Sequence, residues 1–253
     1  MEFDAVILAG GRSARLSGVP KAGLLVDGST LLALALRAAR GARRVVVVGP
    51  DPGTLPDSVL NCREEPPFAG PAAAIAAGLA KLAENAADPA RDDESAAGGP
   101  AADPDDAGRG PAPLTLVLAC DMPRAAAAVG VLLAAAAGAG VAGSAAPAGG
   151  SRAEAGSVMA VSADGRRQPL VALYDTAALQ RSVADAARRG ALENASVFAL
   201  LASLEVREVR VPAGSTDDVD TWDDASALGV STRGPAAPGT TGQASAPDHD
   251  FGG

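Results

Sequence analysis

Leu8-Ala9-Gly10-Gly11-Arg12-Ser13-Ala14-Arg15-Leu16-Ser17-Gly18-Val19-Pro20-Lys21 is the stretch that decides the fold. It joins a short apolar strand, residues 4–8, to a glycine turn carrying two spaced cations. Gly10-Gly11 lets the backbone turn sharply and approach a ligand, so that amide N–H groups can face phosphate oxygens. Arg15 and Lys21 add positive charge for a polyphosphate. The spacing matches neither G-x-x-x-x-G-K-[ST] nor G-x-G-x-x-G, which argues against a kinase-type phosphate loop and a dinucleotide fingerprint. Each glycine or cation alone reads as an ordinary strand-to-helix turn; the whole stretch favours phosphate binding.

Working outward, apolar strand signals at residues 44–48, 59–62, 114–119, 169–174 and 206–211 alternate with helical ones at 31–40, 71–85, 127–137, 176–189, 194–203 and 221–228. That alternation is the mark of an α/β sheet domain. The segments 44–48 and 114–119 are so apolar that both their faces should be covered. Residues 86–113 and 231–253 are rich in Ala, Asp, Gly and Pro and show no hydrophobic period. We expect a disordered insertion and a disordered tail there, leaving one domain over residues 1–230.

Composition excludes several classes. With 48% hydrophobic residues in 253, the chain can bury a full core, but only 2% are aromatic, too few for a base-stacking nucleic-acid surface. The net charge of −9 also argues against nucleic acid and anionic membrane as partners. No apolar run reaches bilayer length, and the chain opens on a strand rather than a signal sequence, so a cytoplasmic location is expected, as a monomer or weak homo-oligomer. Cys62 and Cys120 lack the spacing of a redox or zinc pair and read as structural. The single histidine, His249, lies in the tail. Chemistry must therefore rest on carboxylates, Arg, Lys, backbone amides and a bound metal ion.

Leu116-Val117-Leu118-Ala119-Cys120-Asp121-Met122-Pro123 reads as a buried strand ending in a carboxylate. In an open α/β sheet, ligands collect at the carboxyl ends of strands, so Asp121 should face the same crevice as the Gly10-Gly11 loop. Mg²⁺, which needs only one or two protein carboxylates besides phosphate oxygens and water, suits it; a helix cap is the other reading. Asp217-Asp218-Val219-Asp220-Thr221-Trp222 offers a second carboxylate cluster, in which Asp220 or Thr221 could equally cap the last helix. Gly70-Pro71 suits a helix N-terminus facing an anion or a base edge. Asn194 reads most simply as a helix N-cap.

The pattern L-A-G-G-x-S-x-R-L-x-G-x-x-K, together with C-D-M-P, resembles the molybdenum cofactor guanylyltransferase-like nucleotidyltransferases. The resemblance implies a Rossmann-like three-layer, GT-A-like nucleotidyltransferase fold with a mostly parallel central sheet. It places Leu8, Ala9, Gly10, Gly11, Arg15 and Lys21 around the nucleoside triphosphate, and Glu64 and Gly70 against its base or ribose. It gives Asp121 the catalytic magnesium, completed by Asp218 or Asp220. By the same resemblance, Arg166, Arg167 and Gln168 form an acceptor-side hairpin and Asn194 opens an acceptor-side helix. Arg15, Lys21 and Asp121 are then the catalytic set. The implied reaction transfers GMP from GTP to a molybdopterin-type phosphorylated acceptor, releasing pyrophosphate. The sequence departs from the guanylyltransferase pattern at Pro20, Gly49 and Trp222, which keeps a cytidylyltransferase or a sugar-phosphate nucleotidyltransferase open. The competing class is a nucleotide-binding regulatory protein that lost catalysis, against which stands the retention of Arg15, Lys21 and Asp121.

Overall fold

The computed structural model describes residues 1–11, 13–87, 110–142 and 156–232. The expected tail with His249 and most of the expected insertion lie outside the described residues. In chain order the first elements are β1 (Phe3–Leu8), β2 (Leu25–Val26), β3 (Ser29–Thr30), α1 (Leu31–Ala38), β4 (Val45–Val48) and β5 (Val59–Cys62). Next come α2 (Pro71–Ala87), β6 (Leu114–Ala119), α3 (Ala125–Ala142), β7 (Ser157–Val161) and β8 (Arg167–Asp175). The chain continues through α4 (Thr176–Arg188), α5 (Val197–Leu200), β9 (Val206–Arg210), α6 (Trp222–Ala227) and β10 (Val230–Ser231).

β1 and β6 are buried along their whole lengths because they lie side by side in the middle of a seven-stranded sheet of order β5-β4-β1-β6-β8-β7-β9. β8 is antiparallel to its two neighbours, and the remaining pairings are parallel. Strand alternation sends Ala5 and Ile7 to one face, where they pack with Leu32, Leu116 and Leu132. Val6 and Leu8 point to the other, where they meet Ile75, Val117, Tyr174 and Leu179. The result is three layers: α1 and α3 cover one face, and α2, α4 and α5 the other. Each such Leu or Ile, fully buried, contributes about 1.5–3 kcal/mol. The expected α/β class with a mostly parallel sheet is what the structure shows.

The far end of β1 is held by a buried charge. Asp4 is 1% exposed, accepts from Arg44 Nη2 at 2.6 Å and from the Ala112 backbone N–H at 3.0 Å, and lies 3.6 Å from Arg43 Nε. The chain at Ala112 is thereby fixed at the end of the sheet opposite the carboxyl ends of β1 and β6.

Several boundaries differ from the sequence expectation. β7 has no counterpart among the expected strands, and β8 begins at Arg167, two residues before the expected start at 169, so Arg167 and Gln168 lie within a strand. The helix expected at 194–203 is only one turn, capped by the Ser196 side chain accepting from the Ala199 N–H at 3.1 Å. Asn194 is therefore not a helix cap; its φ of 55° puts it in a left-handed bend before the helix. A second, three-stranded sheet of order β10-β2-β3 is also absent from the sequence expectation, its strands being two residues long.

Candidate active site

The sheet order reverses between β1 and β6: the chain moves from β1 outward to β4 and β5, then returns to place β6 on the other side of β1. Ligands gather at such a switch point, at the carboxyl ends of the strands. There Leu8 lies in register with Ala119, and the Cys120 N–H donates to the Leu8 carbonyl at 3.0 Å. This bond carries the pairing one residue past β6, and Gly10 and Asp121 follow into the same crevice.

After Leu8 the chain packs closely against the end of β4. Ala9 N–H donates to the Val48 carbonyl at 2.8 Å, and a Cβ on Gly49 would lie 2.9 Å from the Ala9 carbonyl carbon, so only glycine fits beside the loop. Ser13 and Ser17 adopt left-handed φ values of 44° and 54° around a single 3₁₀ turn, closed by Leu16 and Gly18 N–H groups donating to the Ser13 carbonyl. Leu16 is fully buried among Leu24, Leu31, Val219 and Ala225. That small third core is what fixes the cationic loop against the C-terminal segment.

The same core organises the carboxylates. Val219 is fully buried and its N–H donates to the Asp121 carbonyl at 3.0 Å. In extended backbone, residues on either side of a buried one share the opposite face, and Asp218 and Asp220 indeed meet Asp121. One carboxylate oxygen from each of the three lies within 4.8 Å of the other two. Lys21 reaches into this group: its Nζ is 2.8 Å from Asp121 Oδ2 and in close contact with Asp220 Oδ1. Arg15, with a side chain 75% exposed, stands 3.7 Å from Asp220 at the rim. Burial alone lowers the affinity of the Lys21 ammonium for its proton, but attraction and hydrogen bonding by Asp121 and Asp220 outweigh it and raise the pKa. The Asp218 carboxyl is pushed above the usual range by desolvation and then by repulsion from Asp121 and Asp220. Asp220 is also tied to the start of α6, where Asp224 Oδ2 accepts from the Asp220 N–H at 3.2 Å and from the Thr221 N–H at 2.8 Å. Thr221, the cap of that helix, completes a capping box.

Three carboxylates, two of them already holding an ammonium, form a donor set that fits a hard divalent cation, which takes carboxylate oxygens and completes its shell with phosphate and water.

Beside this cluster lies a cavity of about 400 Å³. Its wall includes Leu8, Gly10, Gly11, Lys21, Asp121, Glu64, Gly70 and Asn194. A second cavity, of about 220 Å³, shares Gly10, Gly11 and Lys21 and adds Ala9. Glu64 is 5% exposed; its Oε1 accepts from the Phe68 N–H at 2.9 Å, while Oε2 is buried with no hydrogen-bond partner among the described residues. Phe68, at φ 65°, lines both cavities with Arg63 5.0 Å from its ring centre. The Asn194 N–H donates to the Ala69 carbonyl at 2.6 Å, which latches its bend onto the Gly70 turn.

The structure thus gathers Leu8, Ala9, Gly10, Gly11, Lys21, Glu64, Gly70, Asp121 and Asn194 around two adjoining cavities, with Asp220 and Arg15 at the edge. Arg166, Arg167 and Gln168 line neither of them. Arg166 pairs with Asp164 at 3.2 Å, and Arg167 lies 3.9 Å from Glu208 and 4.9 Å from the Phe198 ring centre. Phe68 and Leu170, which also line the larger cavity, were not singled out in the sequence. Phe68 could have been suspected from its place beside Gly70-Pro71. Leu170 carries no signal that separates it from a core residue. Cys120 lines the cavity too, but burial, then the Asp121 charge, push its thiol up to about 12, so it offers no nucleophile at neutral pH.

Residues 5–209 match the profile of the MobA-like NTP transferase domain. The chain belongs to this family. Among solved structures, this NTP transferase is similar to the molybdopterin-guanine dinucleotide biosynthesis protein A of Archaeoglobus fulgidus, with 16% identity, 89% of this chain and 96% of that one covered, and a TM-score of 0.55. It is similar also to the 2-C-methyl-D-erythritol 4-phosphate cytidylyltransferase of Thermus thermophilus, with 22% identity, coverage of 90% and 97%, and a TM-score of 0.52. Rv0371c of Mycobacterium tuberculosis H37Rv gives 20% identity, coverage of 90% and 98%, and a TM-score of 0.55. At these identities the likeness establishes the fold. No curated protein matches this NTP transferase significantly. Among the described residues, no helix is long and apolar enough to cross a membrane.

Proposed function

We propose that this NTP transferase is a magnesium-dependent guanylyltransferase that moves GMP from GTP to a molybdopterin-type phosphorylated acceptor. The observation carrying the reading is the meeting of Lys21, Asp121 and Asp220 at the mouth of a cavity floored by Gly10 and Gly11. An acceptor phosphate oxygen attacks the α-phosphorus, a new P–O bond forms, and the bond to the bridging oxygen breaks, with pyrophosphate taking the electron pair. A phosphate nucleophile is already anionic at neutral pH, so no protein base is required and the residues act by positioning and charge neutralisation. When bound, Mg²⁺ neutralises triphosphate charge, held by Asp121 with Asp220. Arg15 and Lys21 meet phosphate oxygens, and Gly10 and Gly11 let the backbone come close to them. The buried, unpartnered Oε2 of Glu64 supports guanine, whose N1–H and exocyclic amino group present donors side by side.

Gly49 favours a second reading, cytidylyl transfer. Position 49 departs from the guanylyltransferase-like pattern, and the 2.9 Å approach to Ala9 admits only glycine there. The test is pyrophosphate release with each of GTP, CTP, ATP and UTP in the presence of Mg²⁺ and a molybdopterin acceptor. GTP-specific release supports the first reading and CTP-specific release the second. Nucleotide binding without release moves the protein to a non-catalytic, regulatory class.

A further inference from the structure

We propose that Lys21 is a resident cation of the carboxylate cluster and competes with the metal ion for the same carboxylates, so that metal binds weakly until the triphosphate draws the ammonium away. The inference rests on the nucleotidyl-transfer reading above and adds an order of events to it.

The oxygens concerned belong to Asp121 and Asp220. Lys21 Nζ donates to one oxygen of each, at 2.8 Å for Asp121 and in a close contact for Asp220, and both aspartates belong to the triad whose ligand atoms lie within 4.8 Å of one another. An ammonium and a divalent cation drawn to the same carboxylates repel one another. The pair is also shielded, since the Lys21 and Asp121 side chains are only 18% and 20% exposed. Arg15, 75% exposed and 3.7 Å from Asp220, is screened by water and cannot substitute for either cation.

Lys21 has somewhere to go. It follows Pro20 at the start of a single 3₁₀ turn and lines both cavities, where Gly10 and Gly11 bound the phosphate side. A lysine carries its compact charge on four flexible carbons, so it can move several ångströms without the backbone moving. Leaving the carboxylates uncompensated would be costly, because three acidic groups within 4.8 Å repel one another. The exchange therefore goes as a pair: phosphate oxygens replace carboxylates around the ammonium, and the metal replaces the ammonium among the carboxylates. By linkage, nucleotide must raise metal affinity and metal must raise nucleotide affinity by the same factor.

The test is Mn²⁺ binding, followed by electron paramagnetic resonance, to the full chain without nucleotide. Lys21→Met removes the charge and keeps most of the length. It should bind Mn²⁺ about 10- to 100-fold more tightly than the wild type, the usual range for a coupling between two ligands, and Asp121→Asn should abolish the gain. Equal affinities overturn the exchange and leave the functional reading standing. No saturable binding by either protein overturns both the exchange and the metal site it presumes. A second readout needs no variant, because the sequence holds just two lysines, Lys21 and Lys81. Acylation of Lys21 by an amine-reactive ester, normalised to Lys81 in peptide mass spectra, should rise several-fold when Mg²⁺ alone is added at saturating concentration. An unchanged ratio overturns the exchange even if Lys21→Met does not fold.

Discussion

The backbone N–H of Val219 donates to the carbonyl of Asp121 across 3.0 Å. This bond joins the end of the central strand β6 to a segment nearly a hundred residues later. Because the Val219 side chain is buried, it also turns Asp218 and Asp220 toward Asp121. The arrangement of the three carboxylates is therefore set by an apolar residue.

Val219→Ala should destabilise the protein by about 2 kcal/mol, at the low end for large-to-small core changes, seen as a shift of the urea midpoint. Val230→Ala trims the same small core away from the carboxylates. If the geometric argument holds, Val219→Ala loses turnover at matched stability and Val230→Ala does not.

Lys21→Ala and Asp121→Asn should each slow pyrophosphate release by roughly 10²- to 10³-fold, the usual loss for a single electrostatic stabiliser. Because the two groups touch, the double variant should fall well short of the product of the single losses. Arg15→Ala should cost less, its side chain being 75% exposed. Wild-type turnover in Lys21→Ala would remove the lysine from the mechanism.

Glu64→Gln keeps an acceptor for the Phe68 N–H and turns the other oxygen, buried and without a partner, into an amino group. Facing guanine's donor edge, that group should weaken GTP binding by roughly tenfold or more, the cost of opposing two buried donors. Cytosine's ring acceptors should lose less. Measured affinities for both nucleotides decide this, and an equal loss would take Glu64 away from the base.

Asp224 gives a pH dependence. Thr221, through its hydroxyl and backbone N–H, holds the Asp224 carboxyl below the usual range. The unfolded chain then takes up that proton at a higher pH than the native state does. The stability contributed is complete above the ordinary Asp value of about 3.9 and is lost as pH falls through the lowered native value. Urea titrations between neutral pH and the acid limb should show a steeper fall for the wild type than for Asp224→Asn.

Much of this was legible because one physical signal dominated. Residues 44–48 and 114–119 are so apolar that both their faces should be covered, and only a covered central sheet accepts such strands. Asp121 was findable because it follows one of them directly. The strand at Ser157–Val161 escaped notice beside a stretch rich in Gly and Ala, and the two-residue strands of the small sheet are too short to show a period. Asn194 looked like a cap because Asn often is one, but Ser196 does that work and Asn194 takes the left-handed bend that Asn tolerates. The pairing of Lys21 with Asp121 spans a hundred positions, and no local pattern announces it.

The packing of Gly49 against Ala9 also bears on how this enzyme could change its substrate over time. A larger residue at position 49 would strike the main chain of the phosphate loop, so base selectivity has no one-step path through that site. Under the proposed function, drift toward another nucleotide would fall instead to Glu64, Phe68 and Asn194, which line the larger cavity and can be exchanged while the Gly10-Gly11 loop is inherited unchanged.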